Sequence, residues 1–243
     1  MTQFLQLAFD GLSLGCVYAL IALGFTVIYR ASEVINFAQG AMVLLSAYVI
    51  SWLTVNEAVP FFVSVGTTIV ALAAAGAAFH RLLLRRVVTE RPIFAVVMIT
   101  IGLGTAISAG VDAVFGSSTR VLGDPWGSSA THAGAVVLDW VKLWAIIASA
   151  GALAAFFLFD RYSRYGLAMR ATACDEEAAR SVGIPVARVQ AIAWAVAGAL
   201  AVVAAVFLSG YPSSPNPNLG DSALTAFPGA GDSSGAGTEQ VSR

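Results

Sequence analysis

The sequence predicts an all-α fold: a polytopic integral membrane helix bundle of about six transmembrane helices, with one long polar connection carrying a helix of its own. Three observations predict it. Of the 243 residues, 58% are hydrophobic and 11% charged, with a mean hydropathy of +0.81, whereas soluble domains carry roughly 25% charge. The apolar residues fall in runs long enough to cross a hydrocarbon core, which takes about 20 residues of helix. These runs do not alternate apolar with polar, as a barrel strand of about 9 to 11 residues would.

The runs are residues 5–28, 35–55, 60–84, 92–115, 141–159 and 189–209. The first is a span and not a cleavable signal, because it lacks a basic leader, its first charge is Asp10, and Arg30 follows it. Within it Gly11, Gly15 and Ala19 are spaced by four, as are Ala193, Ala197, Ala201 and Ala205 in the sixth run. Small residues at that interval let helix backbones approach closely, so both stripes are expected at helix contacts.

Between the first and second runs, Ser32 is placed to cap the second helix, and Glu33, Asn36 and Gln39 stand where the chain re-enters the membrane. Each amide buried there needs a partner. Two compatible readings follow. In one, Asn36 and Gln39 tie the helix to its neighbours. In the other, the helix start is broken, and Asn36, Gln39 and Gly40 line a central substrate path. Farther on, His80 beside Arg81 and His132 in a loop have no partner at ligand spacing and are expected to be solvated or interfacial. Asp112 lies near the outer end of the fourth run, where water or a neighbouring helix can satisfy it. Cys16 and Cys174 sit in different environments and read as small packing residues, not as a disulfide or metal site.

Arginine sets the orientation. Arg81, Arg85, Arg86 and Arg91 follow the third run, and Arg161, Arg164, Arg170, Arg180 and Arg188 follow the fifth, while the fourth-to-fifth loop holds only Arg120, with Lys142 at its edge. The positive-inside rule makes the two arginine-rich connections cytoplasmic and the N-terminus extracytoplasmic. Trp52, Phe61, Phe62, Trp140 and Trp144 then fall at the outer interface.

The connection 160–190 is too long and too charged for a simple turn. A helix over 166–182 would place Leu167, Ala171, Cys174, Ala178 and Val182 on one face, with Arg170, Glu177 and Arg180 elsewhere. Gly183 can end it in the left-handed conformation, and Pro185 prevents its resumption. That apolar face could rest on lipid headgroups or enter a groove on a soluble subunit.

Several classes are excluded by the residues themselves. A net charge of −1 with a single lysine, Lys142, argues against nucleic acid and against a polybasic membrane patch. No paired acids or His-Glu-x-x-His cluster lies at membrane depth, so no enzyme and no metal site are expected. Nor is there a G-x-x-x-x-G-K-[ST] phosphate loop, and no cofactor is expected.

The string Gly11-Leu12-Ser13-Leu14-Gly15-Cys16-Val17-Tyr18-Ala19-Leu20-Ile21-Ala22-Leu23-Gly24 is followed by Val34-Ile35-Asn36-Phe37-Ala38-Gln39-Gly40 and Ala47-Tyr48. Together they resemble the opening of branched-chain amino acid ABC importer permeases of the LivH type. Gly166-Leu167-Ala168-Met169-Arg170-Ala171 and Glu177-Ala178-Ala179-Arg180-Ser181-Val182-Gly183-Ile184 resemble the cytoplasmic coupling segment of that family, a form of the EAA-xxx-G pattern. The resemblance covers residues 5 to about 227. It implies a permease subunit that pairs with a second permease subunit in the cytoplasmic membrane and receives substrate from an extracytoplasmic binding protein. ATP-binding cassette subunits would dock on the coupling helix at Arg170, Glu177, Ala178, Ala179 and Gly183. Urea and short amides are carried by related permeases and stand as the alternative substrates.

Residues 1–209 therefore read as the transmembrane domain and 210–243 as an extracytoplasmic tail rich in Gly, Pro and Ser. After Phe227 the resemblance gives way to a glycine- and serine-rich stretch from which no span can be built. The expectation is a C-terminally truncated or frame-shifted product, with a non-transporting membrane fragment as the function class that competes with a working permease.

Overall fold

The structure, a computed structural model, describes residues 2–84, 93–116, 130–133 and 136–209. The tail 210–243 lies outside them. Eight α-helices are described: α1 (Thr2–Ser32), α2 (Gln39–Val55), α3 (Phe61–Phe79), α4 (Ile93–Phe115), α5 (Trp140–Tyr162), α6 (Arg164–Cys174), α7 (Glu176–Ser181) and α8 (Val186–Ser209). A five-residue π-helical turn, His80–Leu84, extends α3. A short antiparallel hairpin, β1 (Ala130–Ala133) and β2 (Val136–Asp139), precedes α5 in the register Ala130↔Asp139 to Ala133↔Val136. It is the exception to an otherwise all-α bundle.

Among the described residues, five stretches are long and apolar enough to cross a membrane: Gln6–Ser32, Phe61–Leu82, Ala95–Phe115, Lys142–Tyr162 and Val186–Ser209. The second expected span is shorter. Its helix begins at Gln39, not Ile35, and its 17 residues reach about 25 Å at 1.5 Å each. Residues 34–38 stay outside the helix. Ser32 does not cap α2; it belongs to α1, where its hydroxyl donates to the Ile28 carbonyl at 2.8 Å.

The core is built around α8, which packs on α1, α2 and α3. Ala193, Ala197, Ala201 and Ala205 are all fully buried, as their spacing predicts. The closest approaches are to α3. A Cβ on Gly76 would lie 2.6 Å from the Trp194 carbonyl oxygen, and one on Gly198 would lie 2.7 Å from that of Leu72. Trp194, itself fully buried, sets its ring against Phe79 at 5.3 Å between centroids. The other stripe behaves differently. Nothing among the described residues lies within 4 Å of a Cβ built on Gly11 or Gly15; α1 buries Ser13, Val17, Leu20 and Ile21 instead. Small size permits close packing but does not select the face.

His80 is also placed differently from expectation. It is 3% exposed, and its Nε2 meets Gln190 Oε1 of α8 at 3.1 Å. The partner is more than a hundred positions away, beyond what local spacing can reveal. At the opposite end of the bundle, Lys142 Nζ lies 3.0 Å from Asp10 Oδ1 and joins α5 to α1. Trp52, Phe62, Trp140 and Trp144 are exposed at that end, as interfacial rings would be.

Gly76→Val and Gly198→Val should each destabilise the bundle by about 1–3 kcal/mol, because the added carbons meet backbone that cannot yield. Gly110, with open space around its Cβ position, should accept alanine with no loss. Thermal unfolding in detergent, followed by monodisperse gel filtration, distinguishes the two cases.

Candidate functional site

Two regions hold the polar groups that a simple helix bundle does not need. The first is the break between α1 and α2. Glu33 leaves α1 at φ +54°, with its N–H donating to the Tyr29 carbonyl at 2.7 Å. In the left-handed region a non-glycine residue costs about 1–2 kcal/mol, so the turn is held by what surrounds it. Asn36 Oδ1 accepts from the Ala38 N–H at 3.0 Å, forming a side-chain-closed turn. Asn36 Nδ2 donates to Gln39 Oε1 at 3.4 Å, and Gln39 Nε2 donates to the Ala197 carbonyl of α8 at 3.3 Å. Both amides are fully buried.

Neighbouring helices complete this accounting. Thr100 of α4 donates its hydroxyl to the Ile35 carbonyl at 3.3 Å, and a Cβ on Gly104 would sit 3.4 Å from Ala38 Cα. Gly24 of α1 leaves the space that the Gln39 amide fills, since a Cβ there would collide with Gln39 Nε2. Gly40 is buried in the first turn of α2. The α2 start is thus broken, and its amides are tied to each other, to the local backbone and to α8.

The second region is the polar segment between α5 and α8. It is two helices, not the single helix over 166–182 that the spacing suggested. Asp175 adopts an extended backbone (φ −160°, ψ 111°), and its carboxylate accepts from the Ala178 N–H at 3.0 Å, which caps α7. Ser163 caps α6 in the same way, accepting from the Tyr165 N–H at 3.1 Å. Gly166, Met169, Thr172 and Ala179 turn inward, while Leu167, Cys174, Ala178 and Val182 are exposed. Apolar spacing marked the outward face, because three small or hydroxylated residues pack more closely on the bundle than leucine could.

Gly183 ends α7 at φ +86°. Its N–H donates to the Arg180 carbonyl at 3.0 Å and that of Ile184 to Ala179 at 3.0 Å, the paired bonds of a Schellman ending. Pro185 then opens α8 at a position where the missing N–H is harmless. Of the sequence-predicted residues here, Glu177 and Ala178 are exposed, Ala179 is buried, and Arg170 is partly buried beside Asp160. Glu176 is ion-paired with Arg180 one turn on. The residue that sequence reasoning missed is Asp175, whose signal was Asp followed three positions later by a helix interior. Among the described residues no three His, Cys, Asp or Glu side chains converge.

The structure is that of a polytopic helical membrane bundle with a broken, amide-tied span and a capped polar segment between two others. The chain belongs to the permease components of branched-chain amino acid transport systems, whose family model matches residues 7–230. It is similar to the high-affinity branched-chain amino acid transport system permease protein LivH of Salmonella typhimurium, 33% identical over 237 residues, covering 89% of this chain and 74% of the relative. LivH of Escherichia coli K12 is 31% identical over 232 residues with the same coverage. BraD of Pseudomonas aeruginosa, also a branched-chain amino acid permease protein, is 27% identical over 230 residues, covering 90% and 75%. No solved structure matches the chain.

Gln39→Leu should cost about 1–3 kcal/mol, since it leaves the buried Asn36 amide without its acceptor. Asp175→Ala should cost about 0.5–2 kcal/mol through loss of the α7 cap. Denaturation in detergent measures the first. For the second, protease nicking within 174–184 should rise while the spans stay intact.

Proposed function

We propose that this chain is the permease subunit through which an ABC importer moves branched-chain amino acids across the cytoplasmic membrane by alternating access. The observation that carries the reading is the capped α6–α7 segment closed by Gly183, on a chain of this permease family. The segment faces the cytoplasm and the N-terminus lies outside, in keeping with the arginines that follow the third and fifth apolar runs. ATP-binding cassette subunits dock on it. Glu177 and Ala178 meet them, Arg170 and Ala179 hold the segment to the bundle, and Gly183 sets its exit. A second permease subunit completes the path, and an extracytoplasmic binding protein delivers the substrate. The chain has no catalytic residue of its own. The family description favours branched-chain amino acids over urea or short amides.

Asn36, Gln39 and Gly40 line the substrate path. In the conformation described, Gln39 closes on α8 through the Ala197 carbonyl; displacement of α8 would free the Gln39 amide at the broken helix end for a polar ligand group.

Ala178→Trp and Gly183→Trp should lower co-purification of the ATPase by about tenfold, equivalent to about 1.4 kcal/mol, with membrane abundance unchanged. Unchanged binding and uptake would overturn the docking assignment. Asn36→Leu should reduce uptake of leucine by a similar factor at normal abundance. Normal uptake would leave Asn36 with a packing role alone.

A further inference from the structure

Three helices meet at one carboxylate. Asp160 lies in the last turns of α5 with its side chain 17% exposed, and its Oδ2 is 3.6 Å from Arg30 Nη1 of α1 and 3.5 Å from Arg170 Nη1 of α6. Among the described residues Asp160 is the only acid ion-paired with either arginine. The backbone brings the junction together: a Cβ on Gly166 would collide with the Asp160 carbonyl, so the first turn of α6 lies directly on the end of α5. Met169 and Thr172 are buried along the same helix.

The two ion pairs contribute little to folding. Arg30 and Arg170 are 48% and 35% exposed, and pairs of this kind are worth about 0–1 kcal/mol after screening. Their consequence is positional. Without the carboxylate, two guanidinium groups would face each other across the junction, and α6 would be joined to the bundle only through the turn at Ser163 and its buried face.

We propose that Asp160 is a positioning residue that fastens α6 to α1, so that displacement of α6 by the ATPase is carried into the spans. The proposal rests on the assignment of α6–α7 as the docking segment. The route onward is contiguous: α1 packs on α8, and α8 holds Gln39 through the Ala197 carbonyl. A push on α6 therefore reaches the broken start of α2 through packed elements, as physical coupling requires.

The test is made on the assembled importer in vesicles, with ATPase, both permease subunits and binding protein present. Asp160→Asn should leave membrane abundance and ATPase co-purification at wild-type levels but lower the amino acid transported per ATP hydrolysed by about fivefold or more, within the usual range of coupling free energies. Asp160→Glu should restore the ratio. If Asp160→Asn fails to accumulate, Arg30→Gln reads the same link while keeping the Asp160–Arg170 pair, and it should lower the ratio too. Normal ratios in whichever of the two accumulates would overturn the proposal. Ala178→Trp separates the two failures: if it sheds the ATPase while Asp160→Asn and Arg30→Gln couple normally, Asp160 alone is misassigned. If it retains the ATPase, the docking assignment falls and the Asp160 proposal falls with it.

Discussion

The close backbone contact between α3 and α8 is the constraint on which the other features depend. Lipid tails are as apolar as leucine, so helices in a bilayer gain little from burying apolar surface on each other and must gain it from packing. Gly76 and Gly198 bring the two backbones to within a carbon's width, and Trp194 and Phe79 fill the space beside them. That places α8 at the centre, packed on α1, α2 and α3 with its alanine stripe fully buried. An alanine at 197 leaves its carbonyl open to Gln39. The absent side chain of Gly24 gives the Gln39 amide its room. A larger residue at 24 would force the amide out of its site.

The broken start of α2 follows from that arrangement. In a membrane an unwound segment survives only where its backbone groups find partners inside the protein. Here the Ala38 N–H bonds to the Asn36 side chain, the Ile35 carbonyl to Thr100, and the Asn36 and Ala38 carbonyls to the Gln39 and Met42 N–H groups. The left-handed Glu33 is the strained point of the turn, and the bonds around it offset that strain. A segment held by side-chain amides, not by a helical ladder, can be rearranged by moving one neighbour.

Much of this was legible in the sequence, for reasons that also explain the misses. Five spans were plain because apolar length is a local property, and α2 fell short because its start depends on bonds to α4 and α8 that no local pattern records. The alanine stripe of α8 was read correctly, but the Gly11 and Gly15 stripe was not, since spacing gives a face and not its partner. His80 was expected at the surface and is buried on Gln190, a contact set by how α3 and α8 cross. The polar segment was found, and Gly183 with it. Its spacing nevertheless suggested one helix, where Asp175 makes two; the apolar face that bears Leu167 is left outward and Gly166 packs inward. Capping competes with helix continuation through a single side chain, and a hydrophobic pattern does not register it.

The break at Asp175 has a mechanical meaning in the function we propose. A single rigid helix would pass any displacement to both of its ends together. Two helices divide it. α6 is held to α5 and α1 through Asp160 and Gly166, while α7 runs through the Gly183 ending and Pro185 directly into α8. α6 thus bears on both α1 and α8, the two spans that enclose the Gln39 amide, while α7 leads directly into α8. In that function, displacement of α6 and α7 relative to each other would act unequally on the spans at the Gln39 amide.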